Sequence, residues 1–164
     1  MLFIYMMKEV CVAILDTGIE YNNLLKNNVI EGFGFNNGIK TDDYNDENGH
    51  GTFLASVAAG GENIQEGFTG AASEAEIAVV KLKEAKDYLR KFYGIRQKAV
   101  CYQETDIVQG LRYLHLLALK KQMPLVMCVA LGTNLGGHNG MSSLSRILGS
   151  YSRLVDRCVV IGGG

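Results

Sequence analysis

The sequence predicts an α/β fold whose sheet is mostly parallel. Short runs rich in β-branched residues alternate along the chain with longer segments of helical periodicity. Several of the short runs are apolar at consecutive positions, which is typical of strands covered by helices on both faces. With 164 residues, the chain is long enough for one domain with a sizeable core but not for two.

Five strands are predicted, at residues 10–15, 29–35, 76–82, 124–131 and 157–162. An apolar stretch, residues 1–7, precedes the first of them and stops at Lys8. It is too short to span a bilayer, and no small-residue cleavage site follows it. We interpret it as the beginning of an edge strand or as the remainder of a segment further upstream, and not as a signal peptide.

Three longer segments have helical spacing, at residues 51–59, 105–122 and 142–155. In the second of them, four apolar residues fall on one stripe that faces the predicted core: Ile107, Leu111, Leu114 and Ala118. Thr105 and Asp106 are predicted to cap that helix at its N-terminus. Ser142 is predicted to cap the third helix in the same way.

Residues 83–104 do not fit the alternation of strands and helices. The segment is charged and aromatic, and we interpret it as a surface insertion with a short helix around 84–92. Its aromatic residues with helical spacing, Tyr88, Phe92 and Tyr93, are predicted to anchor it to the body of the protein. An exposed aromatic face for a protein partner is the alternative.

The formal net charge of −1 gives no reason to expect a nucleic acid or an anionic membrane as a partner. The four cysteines are Cys11, Cys101, Cys128 and Cys158. They form no C-x-x-C pair, and three of them lie in predicted strands, where cysteine acts as a small buried apolar residue. This usage favours a reducing compartment over a disulfide-bonded protein.

An Asp-Thr-Gly follows directly on the first predicted strand, and a Gly-His-Gly-Thr opens the first predicted helix. Asp16 and His50 therefore lie where a parallel sheet gathers its functional groups, at the carboxyl ends of strands and the starts of helices. A carboxylate there can accept the imidazole Nδ1–H, which fixes the tautomer of the histidine and stabilises its protonated form. An aspartic-protease interpretation fails, because those enzymes are all-β and need a second such carboxylate, which the chain lacks.

The two motifs together, DTGI at 16–19 and GHGT at 49–52, resemble those of the subtilisin-like serine proteases, the subtilases. The resemblance implies a three-layer subtilisin-like fold and a triad in the order Asp, His, Ser. Asp16 is then the acid that orients the histidine, and His50 is the general base and later the general acid. The serine motif of that family, G-T-S-x-x-x-P, is absent from the 164 residues, and Ser142 lies where the fold places no nucleophile.

By the same resemblance, residues 1–164 are one partial catalytic domain, truncated after about half of it, with 83–104 as a surface insertion. In the family, an asparagine that helps to bind the oxyanion follows the small-residue run that here ends at Gly164. We therefore expect the chain alone to be inactive. Its last strand would be an uncovered edge, which predicts marginal stability or aggregation of the isolated chain.

The resemblance also implies a cleft for a peptide or protein substrate. Segment 126–132 is similar to the strand that pairs with the substrate backbone, and segment 159–164 to the wall opposite it. The predicted substrate-binding residues are Ala130, Leu131, Gly132, Gly162, Gly163 and Gly164. Two positions depart from the family pattern, because Ala130 replaces a serine and Ser73 replaces a proline.

Segment 83–104 and the loop at 132–140 are similar to clostridial subtilases related to the spore-germination proteases, the Csp group. That subgroup implies limited proteolysis of a spore-germination precursor, in the cytoplasm or in association with the spore.

Some members of this subgroup have lost triad residues, so a non-catalytic pseudoprotease that binds or regulates another protein is an alternative. Retention of both Asp16 and His50 argues against it. A nucleotide-binding domain is a weaker alternative, since no G-x-G-x-x-G follows the first strand.

An acidic loop lies just before the GHGT motif. Its carboxylates are Asp42, Asp43, Asp46 and Glu47. No metal or other cofactor is predicted, and calcium at this loop is the alternative, because carboxylates suit the ion but their spacing matches no calcium-loop motif. We favour a solvated loop that attracts a basic residue of the substrate. The remaining histidines are assigned to packing on the long helix, for His115, and to a plain loop, for His138.

Overall fold

A computed structural model describes residues 9–25, 27–36, 39–96, 98–133 and 139–162. The strands in these residues are β1 (Cys11–Asp16), β2 (Val29–Asn36), β3 (Ile39–Thr41), β4 (Glu76–Lys81), β5 (Leu125–Val129) and β6 (Arg157–Ile161). Within the same residues they form one six-stranded sheet in the order β3-β2-β4-β1-β5-β6. β3 runs antiparallel to β2, and all other neighbours pair in parallel. The prediction of an α/β fold with a mostly parallel sheet is confirmed.

Helices cover the sheet on both sides. In the described residues the helices are α1 (His50–Ala59), α2 (Asp87–Phe92), α3 (Glu104–Lys121) and α4 (Ser143–Ser152). α1 packs on one face of the sheet, while α3 and α4 pack on the other, which gives three layers. None of the helices in the described ranges has the length and apolar character that a membrane crossing needs.

The central strands β1 and β4 are buried on both faces. All residues of β1 are buried, and β4 is buried between its end residues. On β1, Val12 and Ile14 point towards α1, where Ala55 keeps the helix close to the sheet. Ala13 and Leu15 point the other way, towards α3. Consecutive residues of the strand thus enter two different core clusters, one on each face of the sheet, which explains why the strand is apolar at every one of these positions.

The apolar stripe of α3 is confirmed, but its predicted N-terminal cap is wrong. Ile107, Leu111, Leu114 and Ala118 are all buried against the sheet. The N-cap residue is Gln103, and no side chain caps the helix. Asp106 is instead largely buried inside the first turn, where burial raises the pKa of its carboxyl group against the opposing charges of two nearby lysines, Lys86 and Lys83. At α4, Ser142 does accept a hydrogen bond from the backbone N–H of Ser145, as predicted.

The predicted anchoring of segment 83–104 by its aromatic residues is wrong. Tyr88, Phe92 and Tyr93 are 63%, 79% and 63% exposed. Within the segment, the Arg90 guanidinium donates to the carbonyl oxygen of Ala99 at 2.6 Å and to Cys101 Sγ at 3.4 Å. The segment leaves and rejoins the body at one place, because Ala85 N–H donates to the carbonyl oxygen of Cys101. Arg90 therefore ties the segment to itself, and a different aromatic residue of the segment, Tyr102, packs against the core.

The edges of the sheet differ from the sequence prediction in two further ways. The three-residue strand β3 was not predicted. Cys158, predicted to be buried in a strand, lies in the edge strand β6 and is exposed, since no helix covers that face of β6 in the described residues. Residues 1–7, predicted as the beginning of an edge strand, lie outside the described residues.

The α3 stripe makes the core testable with a matched pair of leucines. Leu114 is fully buried and Leu116, two residues away on the same helix, is 53% exposed. We expect Leu114→Ala to lower the free energy of unfolding by about 2–5 kcal/mol through lost burial and a new cavity. Leu116→Ala is expected to change it by less than about 0.5 kcal/mol. Urea titration followed by circular dichroism measures both, and equal effects would contradict the placement of α3.

Candidate active site

The carboxyl ends of the parallel strands meet at one edge of the sheet. Asp16 is the last residue of β1 and pairs with Lys81, the last residue of β4. On the other side of β1, Ile14 pairs with Cys128 of β5, so the residues that follow β5 reach the same edge. The carboxyl edge of such a sheet is where α/β proteins place ligands.

Asp16 and His50 are in direct contact at this edge. His50 is the first residue of α1, and its Nδ1 lies 2.7 Å from Asp16 Oδ1. A carboxylate can only accept, so Nδ1 carries the proton and the lone pair of Nε2 is left for another partner. The sequence spacing of 34 residues therefore brings together the two groups that were predicted to act as one pair.

The two members of the pair have very different surroundings. The Asp16 side chain is fully buried, whereas the His50 side chain is 47% exposed. Asp16 Oδ1 also accepts the backbone N–H of Thr17, and its Oδ2 has no hydrogen-bond partner among the described residues. A buried carboxylate with few donors interacts strongly with any positive charge that arises beside it. The outer face of the His50 ring remains open to solvent or substrate.

Small residues allow the loop after β1 and the start of α1 to touch. A Cβ on Gly51 would collide with the carbonyl oxygen of Gly18, and a Cβ on Gly18 with that of Tyr44. Gly18 also has a φ of +113°, which disfavours other residues. In this close packing, Thr17 Oγ1 accepts the N–H of Gly51 at 2.9 Å. The glycines and threonines of the two motifs therefore hold the backbone that carries the Asp16–His50 pair.

Asp46 fixes the first turn of α1, a role that sequence reasoning missed. Its Oδ1 accepts the N–H groups of Asn48 and Gly49, and its Oδ2 accepts the N–H and the hydroxyl of Thr52, all within 2.6–2.9 Å. Although burial opposes ionisation, these hydrogen bonds together lower the pKa of the carboxyl to about 2. An acidic residue shortly before a helix start is the signal for such a cap.

The other carboxylates of the acidic loop are exposed. A carboxylate oxygen of Asp43 lies 4.0 Å, and one of Glu47 3.9 Å, from Nζ of Lys81, the β4 residue that pairs with Asp16. Among the residues that the structure describes, no group of three His, Cys, Asp or Glu side chains is arranged to hold a metal ion. Asp46, one of the proposed calcium ligands, uses both of its oxygens for the helix cap. The cofactor prediction stays a prediction.

The predicted substrate-binding residues fall into two groups. Ala130, Leu131 and Gly132 follow β5, and Gly162 follows β6 beside them, with its N–H donating to the carbonyl oxygen of Val129. A Cβ on Gly162 would lie 3.6 Å from the carbonyl oxygen of Leu131. Both segments thus reach the edge that carries Asp16. The other members of the prediction, Gly163 and Gly164, lie outside the described residues, as does His138.

Tyr102 is a further neighbour of the site that was not predicted. It packs on the core cluster and pairs with Glu84 through an isolated bridge. Burial, together with the negative charges of Asp16, Glu84 and Asp46, raises the pKa of Tyr102 to about 12. The hydroxyl therefore stays protonated at neutral pH. No sequence motif indicates this tyrosine, because it reaches the site only where the end of segment 83–104 folds back against its beginning at Glu84.

Comparison with known proteins places this geometry in a family. A model of the family described as "Subtilase family" matches residues 7–161, nearly the whole chain. The chain belongs to the subtilase family. A curated relative, the major intracellular serine protease of Bacillus subtilis (strain 168), is 40% identical over 78 residues, which are 46% of this chain and 24% of that protein.

Solved subtilase structures share the fold. The CspB protease of Clostridium perfringens superposes with a TM-score of 0.80 at 26% identity, over 96% of this chain and 36% of that one. A psychrophilic protease, S41, superposes with a TM-score of 0.68 at 25% identity, over 93% of this chain and 45% of that one. The three-layer subtilisin-like fold predicted from the two motifs is confirmed. This subtilase chain spans less than half the length of each of these relatives.

The contact between Gly51 and Gly18 can be tested by adding one methyl group. We expect Gly51→Ala to displace the start of α1 and lower the free energy of unfolding by about 1–3 kcal/mol or more. The control, Gly149→Ala, adds the same group in open space within α4 and should raise it by up to about 1 kcal/mol. Urea titration gives both values. A Gly51→Ala chain as stable as the control would contradict the close approach.

The cap formed by Asp46 predicts a dependence of stability on pH. Because folding lowers the pKa of this carboxyl from 3.8 to about 2, its contribution is complete above pH 4 and is lost as the pH falls towards 2. That contribution is about 2 kcal/mol. Asp46→Asn should remove this part of the pH dependence, whereas Asp42→Asn, at an exposed carboxylate, should retain it. Urea titrations at several pH values measure the difference, and parallel profiles for all three proteins would refute the role.

Proposed function

We propose that this chain is the part of a serine endopeptidase that supplies the acid and the base of an Asp-His-Ser triad. The observation that carries the proposal is the 2.7 Å contact between buried Asp16 and half-exposed His50, in a chain of the subtilase family. Its substrate is a peptide bond in a protein. The nucleophilic serine and the oxyanion-binding asparagine come from sequence outside residues 1–164.

The roles follow from the chemistry of the two side chains. His50 Nε2 takes the proton of the serine hydroxyl as the oxygen attacks the carbonyl carbon, and later gives it to the leaving amine. Asp16 holds the ring in the tautomer that leaves Nε2 unprotonated, and its charge stabilises the imidazolium formed in between. The backbone after β5 offers a strand edge for the substrate, with Ala130, Leu131 and Gly132 beside the bond to be cut.

A narrower proposal concerns the biological substrate. The resemblance of the chain to the CspB protease supports limited proteolysis of a protein precursor in spore germination. The name of the Bacillus relative, an intracellular serine protease, supports action inside the cell or spore.

The test uses the full protein that the gene encodes, with casein as the substrate. We expect His50→Ala to abolish hydrolysis and Asp16→Asn to lower kcat by about 10⁴-fold, because the asparagine favours the wrong tautomer. The control is His115→Gln, since His115 contacts Tyr151 and Arg157 on the far side of the sheet and should be dispensable.

Labelling with a fluorophosphonate probe, which reacts with activated serines, separates the possible outcomes. Labelling that is lost in His50→Ala supports the triad. A folded full-length protein that neither reacts with the probe nor hydrolyses casein overturns the proposal in favour of a pseudoprotease.

A further inference from the structure

The positive charge of the chain is concentrated in segment 83–104. This segment holds six of the 16 Lys and Arg residues and three of the 17 Asp and Glu residues, so it carries +3. The rest of the chain has ten basic and fourteen acidic residues and carries −4. A nearly neutral protein therefore presents one basic surface on an acidic body.

Large aromatic side chains project from the same segment. Tyr88, Phe92 and Tyr93 are all more than 60% exposed, and α2, which carries the first two, buries no residue. The rings of Phe92 and Tyr93 meet edge to face with their centroids 5.0 Å apart. Clustered exposed aromatic residues with a polar surround are typical of protein-binding surfaces.

The basic side chains around these rings are available for a partner. Lys91, Arg96 and Lys98 are exposed, and none of them forms an ion pair with the residues that the structure describes. We call these three residues together with Tyr88, Phe92 and Tyr93 the aromatic–basic surface. Arg90 does not belong to it, because its side chain is committed to Glu84, Ala99 and Cys101.

Contacts within segment 83–104 order the backbone that carries the aromatic–basic surface. The contacts of Arg90 close the segment on itself, and the N–H of Ile95 donates to the carbonyl oxygen of Arg90 at 2.8 Å. The base of the segment, where Glu84 pairs with Tyr102, adjoins the candidate active site. A surface that is ordered in advance loses less conformational entropy when it binds.

We propose that the aromatic–basic surface binds an acidic segment of a protein partner that also carries apolar side chains. The partner's carboxylates would meet Lys91, Arg96 and Lys98, and its apolar side chains would cover the exposed rings. A protein segment fits better than an anionic membrane. Asp87 is exposed on α2, one turn before Lys91, so a flat anionic surface that met this helix would also meet a carboxylate. The proposal goes beyond the proposed function and stands without it, because binding alone is measured.

The test is a binding titration of the full protein that the gene encodes, with a short fluorescein-labelled peptide in which Glu alternates with Leu and Phe. Fluorescence anisotropy should show saturable binding that weakens as salt is added, since exposed ion pairs are screened. We expect Lys91→Glu with Lys98→Glu, and separately Phe92→Ser with Tyr93→Ser, each to raise Kd by about tenfold or more. All four side chains are exposed, so circular dichroism should show an unchanged fold.

Matched controls reverse or remove the same kinds of side chain elsewhere. Arg112→Glu with Lys120→Glu reverses two exposed charges on α3, and Ile64→Ser removes an apolar side chain that is 83% exposed. Neither should change Kd. The proposal is overturned if the peptide does not bind, if the controls weaken binding as much as the surface variants do, or if phosphatidylserine vesicles bind the chain and the peptide does not.

Discussion

The candidate site depends on a single buried carboxylate at the end of the central strand. Asp16 has no exposure to solvent, and the hydrogen bonds that it accepts from His50 and from the backbone N–H of Thr17 compensate its burial. The bond from His50 forms only because α1 begins directly against the turn after β1, where Gly51 touches the carbonyl oxygen of Gly18. The backbone contact, the helix cap at Asp46 and the pairing of the two side chains are therefore parts of one arrangement. Disturbing any of them moves the histidine relative to the carboxylate.

The sequence was informative wherever chemistry and pattern agreed locally. Continuous apolar runs predicted strands covered on both faces. In a parallel sheet between two helix layers neither face of a strand meets solvent, so the side chains on both faces are apolar. The stripe on α3 predicted its buried face for the analogous reason. Asp16 and His50 were predictable because each stands beside glycine, one at a strand end and the other at a helix start. Glycine lowers the stability of regular structure, so its presence there indicates that the backbone needs the space.

The failures have a common physical origin in individual polar and backbone contacts, which leave no periodic pattern in the sequence. β3 has three residues, too few for a periodic pattern, and exists because β2 offers it a partner. Asp46 was grouped with the neighbouring acidic residues in one solvated loop. Its hydrogen bonds to the first turn of α1 distinguish it from them. The rings of segment 83–104 were expected to be buried because aromatic residues usually are. Arg90 made that unnecessary by tying the segment together through polar groups.

The order of the strands has a consequence for synthesis on the ribosome. β1 is made first but pairs with β4 and β5, and its partner Leu125 lies 114 positions after Cys11. At a translation rate of about 5–20 residues per second, roughly 6–23 s pass between the synthesis of β1 and that of its second neighbour. During that interval a strand that is apolar up to Asp16 has an unsatisfied edge. Slow codons before β5 would lengthen the time for which this edge is open to wrong pairing.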